Sequence, residues 1–267
     1  MIFCTTFNQK FLPGAETLFH SIRLFYPKEK ILAVYDKDVK SFEKLKKYNV
    51  KFVPLLDGHD SRKHGKAYST YQAMYEDQII CHIDSDAFLL YNINDIINRI
   101  SNMGMDSVLA FYDNHGKGVP DCKIWNETNP INPKNYILNA GIMFYNVGPV
   151  VTNLIQQFFH DCIFKQEIGN QGIIRALVAI YHQKKLISFE LNQDARHYNP
   201  IWKQAEEMEL KNGIWFNKKT GLIQHIYHAT GGGDRKIGMN KPWDAPQIYK
   251  KSELEAYKWV LNQPLLK

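Results

Sequence analysis

Cysteine is scarce in this chain. Long apolar runs, blocks of like charge and internal repeats are missing altogether, and each shortage excludes something. The four cysteines, at 4, 81, 122 and 162, lie far apart with no Cys-x-x-Cys pair. That spacing argues against a zinc site and against a disulfide framework in a chain of this length. Reduced thiols and a cytoplasmic setting are the expectation. No segment reaches the roughly 20 apolar residues that a membrane span needs. The start, Met1-Ile2-Phe3-Cys4, has no basic region of the kind that opens a leader peptide. The net charge is +6, but the lysines and arginines are spread along the chain. That excludes a nucleic-acid stripe and suits an anionic small molecule or an anionic membrane surface. With no low-complexity segment and no linker, the 267 residues read as one domain. Its halves would be 1–113 for a nucleotide and 114–249 for sugar and acceptor, with a carboxyl-terminal helix at 250–267.

What is present alternates. Strand signals at 2–6, 31–35 and 50–55 are separated by helical spacing at 15–25 and 39–48. Pro13-Gly14 punctuates the loop before the first helix, and Tyr26-Pro27 ends that helix. Further helices are expected at 64–75, 93–100 (Asn92 as its cap), 150–164, 172–181 and 252–261. Further strands are expected at 107–111, after Asn139-Ala140-Gly141, and at 185–191, with a late pair at 213–216 and 222–227. This order predicts an α/β fold with a doubly wound, mostly parallel sheet and helices on both faces. Residues 112–135 form a long polar stretch holding Trp125, and loops of that length are usually functional. In the last helix, Leu254, Tyr257, Trp259 and Leu261 mix with Lys250, Lys251 and Lys258. Packing on the domain is the first reading, and a peripheral membrane contact is the second.

One stretch carries chemistry on its face. The apolar run Ile79–Ile83 reads as a buried strand and ends on Asp84-Ser85-Asp86. Desolvating two carboxylates is costly, so acids there need a partner. Two apart on extended backbone, they point to one side. At the carboxyl end of a parallel strand that side faces the ligand crevice. Two hard oxygens suit Mn²⁺ or Mg²⁺ holding a diphosphate.

Four pieces in order resemble the retaining glycosyltransferases of family 8, which have the GT-A fold. They are the opening strand and loop leading into Ala15-Glu16-Thr17-Leu18; Lys66 ahead of Asp84-Ser85-Asp86; Leu138-Asn139-Ala140-Gly141 with Asn170-Gln171; and His228 with glycines and Lys241-Pro242-Trp243 after it. They span about nine-tenths of the chain. The resemblance implies a Rossmann-like GT-A sheet and transfer of a hexose from a UDP-sugar to a hydroxyl of a glycan or lipid-linked glycan, with retention. Asp84, Asp86 and His228 would hold the cation, Mn²⁺ before Mg²⁺ because an imidazole joins two oxygens. Thr5, Thr6, Asn8, Lys66, Ser85, Gly231 and Lys241 would contact the nucleotide. Asn139, Asn170 and Gln171 would face the donor sugar, and Asp194 and His197 the acceptor. The family keeps its Lys-Pro-Trp close to the His, whereas here an insertion with Gly231-Gly232-Gly233, Arg235 and Lys236 intervenes, so three bases compete for the diphosphate. It also writes Asp-Gln-Asp where this chain has Asn170-Gln171-Gly172.

Two rival classes share the acidic motif. A phosphohydrolase places it on the first strand, followed by a small hydroxyl residue, but here Ala87-Phe88 follow on a later strand. A nucleotidyltransferase of the pyrophosphorylase kind needs an amino-terminal glycine-rich loop that is absent. A non-catalytic glycan- or nucleotide-binding protein on the same fold is the third reading, supported by the missing acids around Gln171.

Overall fold

The structure is a computed structural model and describes residues 1–112, 136–164, 170–192, 207–229, 241–244 and 251–265. In chain order the elements are β1 (Ile2–Phe7), α1 (Leu12–Phe25), β2 (Lys30–Tyr35), β3 (Lys51–Pro54), α2 (Lys66–Ala73), β4 (Ile79–Ile83), β5 (Ala87–Leu89), α3 (Asn94–Asn102), β6 (Ser107–Tyr112), β7 (Leu138–Asn146), α4 (Pro149–Phe164), α5 (Asn170–Gln183), β8 (Ser188–Asn192), β9 (Met208–Lys211), β10 (Ile214–Asn217), β11 (Ile226–His228) and α6 (Lys251–Asn262).

Seven strands make the central sheet in the order β3-β2-β1-β4-β7-β6-β8. All neighbours are parallel except β7, which runs against both β4 and β6. Alternation along β1 sends Ile2 and Cys4 to one face and Phe3 and Phe7 to the other. One face is covered by α2, α4 and α5, whose Ala67, Leu154 and Ile174 join Cys4 in a single cluster. The opposite face takes Leu18, Phe19 and Ile22 of α1 and Ile96 and Ile100 of α3. This is the doubly wound, mostly parallel α/β sheet that the alternation predicts.

A smaller unit stands beside it. The short strand β5 pairs antiparallel with β11, joining His228 to Ala87 and Ile226 to Leu89. Phe88, Tyr227 and Trp215 pack there against Ala256 and Val260 of α6. Leu254, Tyr257 and Trp259 also pack on this cluster, so the first reading of the last helix holds. Among the described residues no helix is long and apolar enough to cross a membrane.

Several local expectations are corrected. The first helix begins at Leu12 and takes in Pro13 and Gly14, because proline in a first turn gives up only an N–H that would have no partner anyway. Residues 39–48 form no α-helix. Only Glu43–Tyr48 winds, as a 3-10 turn ending on Asn49 in the left-handed region. Its buried anchors, Leu45 and Tyr48, are too few for an apolar stripe, and upstream Asp38 and Ser41 bond backbone N–H groups instead. A π-helical turn, Ser61–Gly65, precedes α2, and Asp60 caps it by accepting from Arg62 N–H at 2.7 Å. Asn92 bonds Asn94 N–H at the long distance of 3.4 Å and is not the cap of α3, which Ile93 opens without a side-chain bond. The late strands do not form one pair. β10 turns back on β9 and also meets residues 222–224 through a Phe216–Ile223 bridge flanked by Asn217 N–H to Leu222 C=O and Gln224 N–H to Trp215 C=O, whereas β11 crosses to β5.

Candidate active site

The carboxyl ends of β1 and β4 lie side by side, since Cys4 is in register with His82. Past Ile83 the backbone does not stay extended. Ala87 N–H donates to Asp84 C=O at 2.9 Å, closing a turn over Asp84-Ser85-Asp86. The expectation that period-two geometry aligns the two acids is therefore wrong in its reason and right in its result. The turn is seated from both sides. Asp84 N–H donates to Gly141 C=O at 2.7 Å, and Ala229 N–H to Asp86 C=O at 2.9 Å. Two glycines permit the close approach. A Cβ on Gly14 would run into Ser85 C=O and the Trp243 ring, and one on Gly141 would lie 2.7 Å from Asp84 Oδ2 and collide with the His228 ring.

Asp84, Asp86 and His228 each offer a ligand atom within 4.8 Å of the other two. His228 Nε2 lies 3.1 Å from Asp86 Oδ1 and 3.8 Å from Asp84 Oδ2. Metal–ligand bonds of about 2.0–2.6 Å put donor atoms roughly 3–5 Å apart, so this set fits one divalent cation. Two hard oxygens and one imidazole are also a donor set that Mn²⁺ accepts.

Each acid has its own cation. Lys66 Nζ is 3.1 Å from both oxygens of Asp84, and Lys241 Nζ is 2.6 Å from Asp86 Oδ2 and 2.8 Å from Ala229 C=O. Burial opposes the charge on Asp84, but Lys66 and then His82 outweigh it and hold its carboxyl down to about 2. Burial also opposes the charge on Asp86, and Lys241 and His228 hold that carboxyl well below the usual range. Both acids are therefore ionised at neutral pH. Lys241, expected on a diphosphate, is 3% exposed and engaged with Asp86. Lys66, expected on the nucleotide, is engaged with Asp84 and also lines the cleft above it.

A cleft of about 260 Å³ opens over this cluster. Thr6, Asn8, Phe11, Ser61, Arg62 and Asn170 line it together with Lys66 and the Asp84–Asp86 turn. Thr5 is buried, and among the described residues the hydroxyls of Thr5 and Thr6 find no hydrogen-bond partner. Asn8 is partly committed, since its Oδ1 accepts from Phe11 N–H at 3.2 Å. Asn170 Nδ2 donates to Arg62 C=O at 3.0 Å, tying the start of α5 to the π-helical turn. Gln171 Oε1 lies 3.5 Å from Ala140 N, beneath β7, and Asn139 Oδ1 accepts from Gly141 N–H at 2.7 Å. Gly231, Arg235, Lys236, Asp194, His197 and most of the 112–135 stretch lie outside the described residues.

Sequence reasoning missed Phe11, whose ring centroid is 5.4 Å from Lys241 Nζ, and the strand β5 that brings His228 in. It also passed over His82. Its one available signal was a histidine inside an apolar strand.

No protein-family model matches the chain, and no curated protein matches it. Solved structures do. The chain is similar to the apo WbbM bifunctional glycosyltransferase, with TM-score 0.65 at 14% identity over 99% of this chain and 50% of that one. It is similar to the apo glycosyltransferase GlyE of Streptococcus pneumoniae TIGR4, with TM-score 0.59 at 14% identity over 98% and 60%. It is also similar to the galactosyltransferase LgtC solved with donor and acceptor sugar analogues, with TM-score 0.60 at 10% identity over 100% and 98%. The chain thus spans half of the WbbM chain and three-fifths of the GlyE chain. It has the fold of these glycosyltransferases, the GT-A architecture that the family-8 resemblance implies.

Proposed function

We propose that the chain is a metal-dependent glycosyltransferase that moves a hexose from a UDP-sugar to a hydroxyl of a glycan or lipid-linked glycan, with retention at the anomeric carbon. The observation that carries this reading is the Asp84, Asp86 and His228 cluster at the carboxyl ends of β1 and β4, beneath a cleft, in a glycosyltransferase fold. The charges agree with it. Two carboxylates and two ammoniums cancel, so a bound divalent cation gives the site a net double positive charge, the complement of a nucleotide diphosphate.

Asp84, Asp86 and His228 would hold Mn²⁺, with Mg²⁺ as the alternative. A cation there supplies charge stabilisation to the departing diphosphate without moving a proton. Lys66 and Lys241 fix the acids while they stay ionised, and either ammonium can shift its charge toward the leaving group. Arg62, half out in solvent on the cleft rim, is a further cation within the lining. The unpartnered hydroxyl of Thr6 and the amide of Asn8, both in the cleft wall, would contact the nucleoside, and Thr5, buried in β1, joins them by resemblance alone. Ser85 lines the same wall, and Gly231 belongs to this group by resemblance. Asn139, Asn170 and Gln171 form the sugar end. A neutral amide is a poor nucleophile, so Gln171 stabilises an oxocarbenium-like state rather than forming a lasting bond.

The test is UDP release from UDP-glucose and UDP-galactose with and without Mn²⁺, beside a thermal shift with UDP plus Mn²⁺. Turnover and shift that both depend on the metal are expected. Neither appearing with any common sugar nucleotide overturns the reading, and phosphate release from a simple phosphomonoester would move it to a phosphohydrolase.

A further inference from the structure

His82 sits in the middle of β4 at 1% exposure, between apolar neighbours Cys81 and Ile83. An imidazole there is costly unless both nitrogens are engaged. Both are. Nε2 lies 3.2 Å from Asp84 Oδ1, and Nδ1 lies 3.4 Å from Ser69 Oγ and 3.7 Å from Cys4 Sγ. The Ser69 hydroxyl has one proton and a nearer acceptor, Lys66 C=O at 2.9 Å. That leaves the Cys4 thiol as the donor to Nδ1, and burial keeps the thiol protonated by pushing its pKa up to about 12. The ionised Asp84 carboxylate can only accept, so the ring proton sits on Nε2 and is donated to Oδ1, which leaves Nδ1 of the neutral ring as the acceptor.

The two oxygens of Asp84 are then unequal. Oδ1 is held by His82 from behind, while Oδ2 faces His228 at 3.8 Å. Lys66 Nζ, 3.1 Å from both oxygens, bridges the carboxylate without telling the two apart, so the contact from His82 is what singles out Oδ1. We propose that His82 is a positioning residue. The line from Cys4 through His82 to Asp84 Oδ1 locks the carboxylate so that Oδ2 is presented to the cation. This inference rests on the reading of Asp84 as a metal ligand. Groups behind a metal ligand commonly change metal affinity by 10- to 100-fold.

The experiment titrates Mn²⁺ into the full chain by calorimetry and by its free-ion EPR signal, with UDP present. Three proteins are compared: wild type, His82→Phe, which keeps a ring but no donor, and His82→Gln, whose amide can donate from a similar place. Mn²⁺ should bind about 10- to 100-fold more weakly to H82F, and H82Q should return to within about threefold of wild type. Equal binding by H82F and wild type overturns the inference while leaving the metal reading intact. Equal weakening in both variants also overturns it, since packing alone would then be at work. A wild type that binds no Mn²⁺ sinks the metal reading and the inference together. Nitrogen-15 NMR of the wild-type histidines needs no variant to fold. It should show His82 as the neutral Nε2–H tautomer, and an Nδ1–H tautomer overturns the assignment.

Discussion

At the scale of single residues the site is built from close approaches that leave no slack. Gly141 is the case that bears on the cluster itself, because a Cβ there meets Asp84 Oδ2 and the His228 ring at once. Overpacking of this kind costs about 1–3 kcal/mol. Gly141→Ala should therefore lower the melting temperature by roughly 2–12 °C and abolish Mn²⁺ binding, read by calorimetry. The two acids should differ in what their loss costs. Asp86 and Lys241 have side chains 12% and 4% exposed, against 26% for Asp84. Asp86→Ala leaves a buried ammonium short of its carboxylate and should destabilise by about 3–5 kcal/mol. Asp84→Ala should cost less in the same urea melts, and adding Lys241→Met to Asp86→Ala should restore part of the loss without restoring metal binding. Asp84 and Asp86 were legible in the sequence because carboxylates closing an apolar strand demand a positive partner. His228 was legible through the glycines and the Lys-Pro-Trp that follow it. Lys241 is a candidate for the diphosphate by resemblance, beside Arg235 and Lys236, and spacing alone could not say that it also faces Asp86. His82 gave little to read, since its role exists only through Cys4, 78 positions away, and Asp84.

Elements differ in how far the site depends on them. The ribbon of β5 and β11 delivers His228, and Phe88 anchors it against Tyr227 and Tyr257. Phe19 anchors α1 to the main sheet through Phe7 and Phe52 and to the 3-10 turn through Tyr48. Either phenylalanine cut to alanine should cost about 3–5 kcal/mol. Only Phe88→Ala should also weaken Mn²⁺ binding, by tenfold or more, because it loosens the strand that carries a ligand. If both variants leave the metal affinity unchanged, the ribbon does not position His228. The main strands and long helices could be read from their period, whereas the ribbon could not. Three residues of β5 are too short to show alternation, and its partner lies far along the chain. Residues 39–48 misled for a related reason, since lysines at helical spacing say nothing without enough apolar anchors beneath them.

At the scale of the molecule, acid should weaken the fold over two pH intervals. His20 and His64 are buried, and burial lowers both below the usual histidine value of 6.5. The unfolded chain then binds protons that the folded one does not, so stability falls as pH drops below about 6.5. Asp84 has its carboxyl lowered from 3.8 to about 2. Its contribution is complete above about pH 4 and is lost as pH falls toward about 2. Urea midpoints should therefore decline from pH 7.5 to pH 5 and drop again below pH 4, and a midpoint flat across the first interval would contradict the histidine assignment. The wiring of the ribbon has one further consequence. Asp86 and His228 stand 142 positions apart. A ribosome adding about 5–20 residues per second makes the acids roughly 7–30 s before the imidazole. A nascent chain halted before residue 228 has both acids but lacks the proposed third ligand, so capture of a nucleotide by a stalled chain reports whether synthesis has passed His228.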